Sequence, residues 1–157
     1  QKHAKKEWDN AIPTEEYFKE LFRVSKNQII WGGNYFDLPP TQGFFIWDKK
    51  QPHDFSLAMC EYAWSSIQKP AKMWSLSVLK ELGKIHPTQK PVELYEWILI
   101  NNAKEGYKIL DTHLGSGSIA LACHNLKFDL TACELDTEYY NAAMKRLKEH
   151  QQQLTMF

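Results

Sequence analysis

The spacing of apolar residues divides this chain of 157 residues into a loosely patterned first half and a sharply patterned second half. Residues 1–12 are polar and Lys-rich and read as a surface loop. Thr14 stands before Glu15 and Glu16, the arrangement of an N-cap and an acidic first turn. Tyr17, Phe18, Leu21 and Phe22 then recur at helical spacing and predict one apolar helix face. Gln28–Trp31 is a short apolar run stopped by Gly32-Gly33, which predicts a buried strand and a turn. Gly43–Trp47 predicts a second strand. Residues 55–64 predict a third, although Ala58, Met59 and Ala63 fit a helix as well, and residues 65–90 read as irregular.

From residue 91 the elements follow closely. Pro91-Val92-Glu93-Leu94 opens a helix whose apolar positions are Leu94, Trp97, Ile98 and Ile100, and Gly106 is expected to end it. Residues 107–110 predict a strand, a Gly/Ser loop follows, and a helix runs from about Ser118 to Asn125. Residues 128–133 predict the next strand. Asp136-Thr137 caps a last helix that runs to about Glu149. Helix, strand, loop, helix, strand and helix in this order predict a parallel βαβ arrangement, hence an α/β fold with a mostly parallel central sheet.

Composition narrows the functional classes. Lys+Arg and Asp+Glu are equal at 19 each, which argues against an arm that binds nucleic acid by charge alone, though a local basic face stays open. Three cysteines, Cys60, Cys123 and Cys133, are an odd number without a CxxC pair; neither a disulfide framework nor a metal site is expected, and a reducing cytoplasm fits. No apolar run approaches the roughly 18 residues of a membrane span. Six Trp residues predict a Trp-rich core; the alternative is that some of them line a site that stacks on a planar ligand.

The chemistry concentrates after residue 108. Asp111-Thr112-His113-Leu114-Gly115-Ser116-Gly117-Ser118 leaves a predicted strand and enters a predicted helix. Gly115-x-Gly117-x-x-Ala120 fits a nucleotide-binding turn, in which Gly permits close approach of backbone to ligand and Ala permits close helix–strand packing. Glu134 ends the next strand, 17 residues after Gly117, where a carboxylate can accept ribose hydroxyls. A pyrophosphate at the helix N-terminus would be repelled by Asp111. An ammonium and a sulfonium would be welcomed there, so charge favours S-adenosylmethionine over a dinucleotide.

These residues resemble the N6-adenine/N4-cytosine DNA methyltransferases in their β-class motif order. Asp111–Ser118 is similar to that family's cofactor loop, often written D-P-F-x-G-S-G, although Thr112-His113 departs from Pro-Phe. Cys133–Tyr140 is similar to its ribose-binding strand end and following helix. His86-Pro87-Thr88-Gln89-Lys90-Pro91 resembles the segment ahead of the cofactor loop that touches the methionine end of the donor. Weaker likeness extends upstream through Trp31-Gly32-Gly33-Asn34 to Trp8-Asp9-Asn10. The resemblance implies one Rossmann-like S-adenosylmethionine-dependent methyltransferase domain over 1–157. Within it, 1–85 form the target-base and DNA side, 86–150 the cofactor half and 151–157 a tail. It implies cofactor contacts from Asp111, Thr112, Leu114, Gly115, Ser116, Gly117 and Glu134, with Thr88 and Lys90 on the donor carboxylate, and no metal.

The activity implied is site-specific methylation of an exocyclic amine in double-stranded DNA, adenine N6 expected, in a restriction-modification setting. The alternatives are methylation of RNA or another amine, or a non-catalytic remnant. The family's catalytic motif, a polar residue followed by Pro-Pro-aromatic, does not occur in the chain and is expected upstream of Gln1. Asp37-Leu38-Pro39-Pro40 only echoes it and reads as a loop between strands. Lys2, His3, Lys5, Lys6, Lys49, Lys50, Lys69 and Lys72 are candidate phosphate contacts. Gln153, Leu154 and Phe157 resemble the terminal peptide that docks on a replication sliding clamp, with packing on the chain's own domain as the alternative. Monomer and homodimer both stay open.

Overall fold

The computed structural model describes residues 12–52, 54, 56–77, 85, 86 and 88–154. Contacts divide the chain into two compact units, residues 1–81 and 82–157.

In the first unit, helix α1 (Glu15–Val24) begins where the Thr14 hydroxyl accepts the Tyr17 N–H at 3.3 Å. Its apolar stripe is half-buried: Phe18 packs on Phe36, and Phe22 meets Trp64 edge-on. Four strands follow: β1 (Ile29–Trp31), β2 (Phe44–Asp48), β3 (Cys60–Ser65) and β4 (Lys72–Ser75). A 3-10 turn, Gly33–Tyr35, lies between β1 and β2. The sheet order is β1-β3-β2-β4. Alternate residues Phe45 and Trp47 of β2 point into a core shared with Ala63 and Trp64, so two of the tryptophans do form core as composition suggested.

The mostly parallel sheet expected from sequence needs a correction here. Strand β3 runs antiparallel to both β1 and β2, and only β4 is parallel to β2. Residues 49–59 are the reason. A parallel return needs a crossover of a dozen or more residues, usually through a helix, and no helix lies among the described residues of this link. The apolar positions Leu57 and Met59 belong to that link and are exposed, so β3 is shorter than the predicted 55–64. Strand β4 lay in the stretch read as irregular. It shows no alternation of burial and is held by partners: Trp47 Nε1 donates to the Leu76 carbonyl, and the Ser75 hydroxyl donates to Asp48.

In the second unit the order is α2 (Val92–Asn102), β5 (Lys108–Asp111), α3 (Ser118–Leu126), β6 (Asp129–Ala132) and α4 (Thr137–Leu154). Strands β5 and β6 are parallel with α3 as the crossover, as the sequence order predicted. Asp136 caps α4: its Oδ1 accepts the N–H groups of Glu138 and Tyr139. Helix α2 ends at Asn102, ahead of Gly106. Leu99 is buried at 5% exposure whereas Ile100 is 65% exposed, so the buried face reads 91, 94, 95, 98, 99 and Ile100 lies opposite it. The core joins Leu99, Leu114, Ile119, Ala122, Cys123 and Ala143, one residue apiece from α2 and α4 and the rest from the loop and α3. Among the described residues no helix is long and apolar enough to cross a membrane.

Candidate functional site

The ladder between β5 and β6 continues past the strand ends and fixes the start of the loop. Cys133 N–H donates to the Asp111 carbonyl at 2.9 Å, and Leu114 N–H donates to the Cys133 carbonyl at 2.9 Å. Asp111 turns the chain out of β5 because its Oδ1 accepts the His113 N–H at 2.9 Å. Its carboxyl is half-buried, and burial raises its pKa above the ordinary aspartate value. The His113 amide and the charges of His113 and Lys90 pull the other way, and the Glu134 charge adds to the rise.

Glu134 closes the loop from the opposite side. Its Oε2 accepts the Gly115 N–H at 2.7 Å and its Oε1 accepts the Asp136 N–H at 2.9 Å. Each oxygen keeps a further lone pair, so the carboxylate is locked in direction while still able to accept from a ligand hydroxyl. Gly115 and Gly117 both have positive φ, +53° and +74°, which a side chain resists. A side chain at Gly117 would also be crowded: a Cβ there would stand 3.0 Å from the Ala143 Cβ of α4. The Gly117 carbonyl then accepts from Ala120 and Leu121 and starts α3. The first amides of α3 have no partner within the helix and carry the positive end of its dipole.

The segment 86–90 lies against this loop. The nearest atom to a Cβ built on Gly115 is His86 Cδ2, at 3.6 Å. The His86 ring is buried and packs on Tyr139 of α4 with centroids 4.3 Å apart. The Thr88 N–H and hydroxyl both reach His86 Nδ1, at 3.2 and 3.0 Å. The buried Gln89 closes the turn, its Oε1 accepting the Ile85 N–H. Lys90 is half-buried and near enough for its charge to act on Asp111.

A strand-end aspartate, a two-glycine turn, a helix N-terminus and a braced glutamate therefore share one small region. Residues 1–145 match the sequence family described as DNA methylase, the N6/N4 methyltransferases. The chain belongs to this family. It is 27% identical over 144 residues to Type II methyltransferase M2.DpnII of Streptococcus pneumoniae, covering 90% of this chain and 49% of that protein. Type II methyltransferase M.HpaI of Haemophilus parainfluenzae is 33% identical over 81 residues, 50% of this chain and 26% of that protein. Among solved structures, the M1.HpyAVI–SAM complex superposes with a TM-score of 0.52 at 32% identity, covering 66% of this chain and 60% of that one. The α/β methyltransferase fold is thereby shared, and the chain spans about half the length of the curated relatives it matches.

Within this N6/N4 methylase segment the sequence-derived residues divide by what they expose. Asp111, Gly115, Gly117 and Glu134 come together, with Thr88 and Lys90 on the adjoining turn. Leu114 and Ser116 are buried and can offer a ligand only backbone; Thr112 is half-buried, its hydroxyl 3.0 Å from His113 Nδ1. Sequence reasoning missed Arg146, whose Nη1 donates to the Ser116 carbonyl at 3.0 Å and to the Ser118 hydroxyl at 2.9 Å. The available signal was the series Tyr139, Ala143 and Arg146, which share one face of α4 at i, i+4 and i+7. Two candidate DNA contacts are otherwise engaged: Lys49 pairs with Glu61 at 2.8 Å and Lys50 with Asp48 at 3.0 Å. Lys69 and Lys72 are exposed, whereas Lys2, His3, Lys5 and Lys6 lie outside the described residues. The Asp37–Pro40 stretch is a loop before β2, and its Pro39 carbonyl accepts the Trp64 indole N–H at 2.7 Å.

Proposed function

We propose that residues 86–90, 111–118 and Glu134 hold S-adenosylmethionine, and that the protein containing this chain methylates an exocyclic amine of double-stranded DNA, adenine N6 rather than cytosine N4. The observation that carries the reading is the bond between the Gly115 amide and Glu134, which fixes the loop and the ribose-binding carboxylate as one unit. The fit of charge supports it. Asp111 offers an anion to the donor's ammonium and sulfonium, Glu134 accepts from its ribose hydroxyls, and the opening amides of α3 with Thr88 and Lys90 take its carboxylate.

When bound, S-adenosylmethionine supplies an electrophilic methyl group. The residues of this chain bind and orient it; the loop amides are already fixed, so little ordering is left to occur on binding. The acceptor amine is delocalised into its ring and a poor nucleophile, so in this reading it needs acceptors on its hydrogens and a base turned out of the duplex. In the family those acceptors come from the Pro-Pro-aromatic motif, which this chain's sequence does not contain. The choice of adenine rests on the resemblance. Nucleoside analysis of duplex DNA treated with the protein that contains this chain separates N6-methyladenine from N4-methylcytosine.

The donor site is tested by calorimetric titration with S-adenosylhomocysteine, the stable product. We expect binding by this chain and at least tenfold weaker binding by folded Glu134→Ala; equal affinity overturns the site. A clamp contact through Gln153, Leu154 and Phe157 stands as a separate proposal from sequence, and residues 155–157 lie outside the described residues. Deleting 153–157 is expected to abolish clamp pull-down, and unchanged pull-down ends the idea.

A further inference from the structure

We infer that Arg146, thirty residues beyond the loop, is a positioning residue of the donor site that couples α4 to the loop and adds positive charge beneath the N-terminus of α3. The inference rests on the donor-site reading above. Its first support is geometric. One guanidinium nitrogen donates both to the carbonyl of Ser116 and to the hydroxyl of Ser118, at 3.0 and 2.9 Å. These two residues flank Gly117, the left-handed residue at which the loop becomes helix. Both are almost fully buried, at 6% and 2% exposure, and Ser116 Oγ lies 3.1 Å from Ser118 Oγ. Buried acceptors of this kind have no water to fall back on, so losing the guanidinium leaves the Ser116 carbonyl without that partner, while the Gly117 N–H of the same peptide keeps its bond to the Leu114 carbonyl.

The second support is register. Tyr139, Ala143 and Arg146 lie on one face of α4, and each touches a different part of the site. Tyr139 carries the His86 ring, Ala143 fills the space a Gly117 side chain would need, and Arg146 holds Ser116 and Ser118. One helix face therefore sets the 86–90 turn and the glycine loop relative to each other. The third support is charge. A cation at a helix N-terminus opposes the dipole and weakens the isolated helix. Its presence here is accounted for if the end of α3 has an anion to hold, and the carboxylate is the anionic end of the donor.

A mere strut and a positioning charge differ in what they do to two ligands. S-adenosylhomocysteine carries the amino-acid carboxylate, and methylthioadenosine has the same nucleoside without it. The affinity ratio of the two is measured by calorimetry for the parent chain, Arg146→Gln and Arg146→Lys. We expect Arg146→Gln to lower the ratio about fivefold, the size of a partly buried charge at a helix end, and Arg146→Lys to keep it within about twofold. Ser118→Ala changes little volume and removes the hydroxyl that accepts from the guanidinium. It carries the same test should the neutral variant not fold, with an expected fall of about twofold. A ratio unchanged in the neutral variants, or lowered as much in Arg146→Lys as in Arg146→Gln, overturns the assignment while leaving the donor site standing. Failure of the folded parent chain to bind S-adenosylhomocysteine overturns both readings together.

Discussion

Burial lifts the Asp111 carboxyl above the ordinary aspartate range, so this residue opposes folding wherever it is ionised. At pH values below the unfolded aspartate's pKa both states carry the proton and nothing is lost. As pH rises through the raised folded value, the folded chain must ionise a half-buried group and stability falls. Asp111→Asn is therefore expected to melt higher than the parent at pH 7, with the gap closing as pH falls to about 3.5. The same change removes the partner of the donor's ammonium and should weaken S-adenosylhomocysteine about tenfold or more. Thermal melts over pH with one titration check both halves; a variant that melts lower at pH 7 contradicts the first. Cys123 gives a second test at this scale. Burial pushes its thiol up to about 11, with the Asp111 charge adding to the shift, whereas Cys60 and Cys133 are exposed. Ellman's reagent at mildly alkaline pH should titrate two thiols in the folded chain and the third only in denaturant. Asp111, Gly115, Gly117 and Glu134 were legible in the sequence because strand ends and left-handed turns leave a fixed spacing. Arg146 and Gln89 were not. One reaches a backbone carbonyl thirty residues away and the other a nearby amide, and any residue supplies those groups.

The junction from loop to α3 depends on two separate constraints at Gly117, and they can be told apart by substitution. Gly106 has a positive φ of +81° with nothing near its Cβ position, whereas Gly117 has +74° and Ala143 at 3.0 Å. Gly106→Ala should cost about 1 kcal/mol for the backbone alone. Gly117→Ala should cost about 1 kcal/mol more for crowding against α4, and should also weaken the donor. Chemical denaturation of both variants checks the difference, and equal costs would mean that α4 is not packed as described. Elements with an apolar pattern, a turn glycine or a cap in the sequence were readable in advance: α1, β2, β5, α3, β6 and the capped start of α4 fall close to their predicted places. The misses share a cause. Strand β4 buries no regular face and is held through Asp48 and Trp47, so its existence depends on contacts that sequence spacing does not encode. In α2, Ile98, Leu99 and Ile100 are consecutive apolar residues, and composition alone did not say which one faces outward.

The two units differ in what they contain. Residues 82–157 contain every residue of the candidate donor site, arranged around β5, α3, β6 and α4. Residues 1–81 contain a mixed sheet with a Trp47–Trp64 core and none of those residues. The antiparallel strand β3 is where the sequence-level picture of a mostly parallel sheet departed from the fold, because a short link, with no helix among its described residues, turns the chain back on itself. The central claim is that the Gly115–Glu134 unit builds a donor site, and it is tested most directly by calorimetric titration of the folded chain with S-adenosylhomocysteine beside Glu134→Ala. The account predicts saturable binding with one site per chain, lost or weakened at least tenfold in a variant that remains folded. Equal affinity in the two proteins would contradict it.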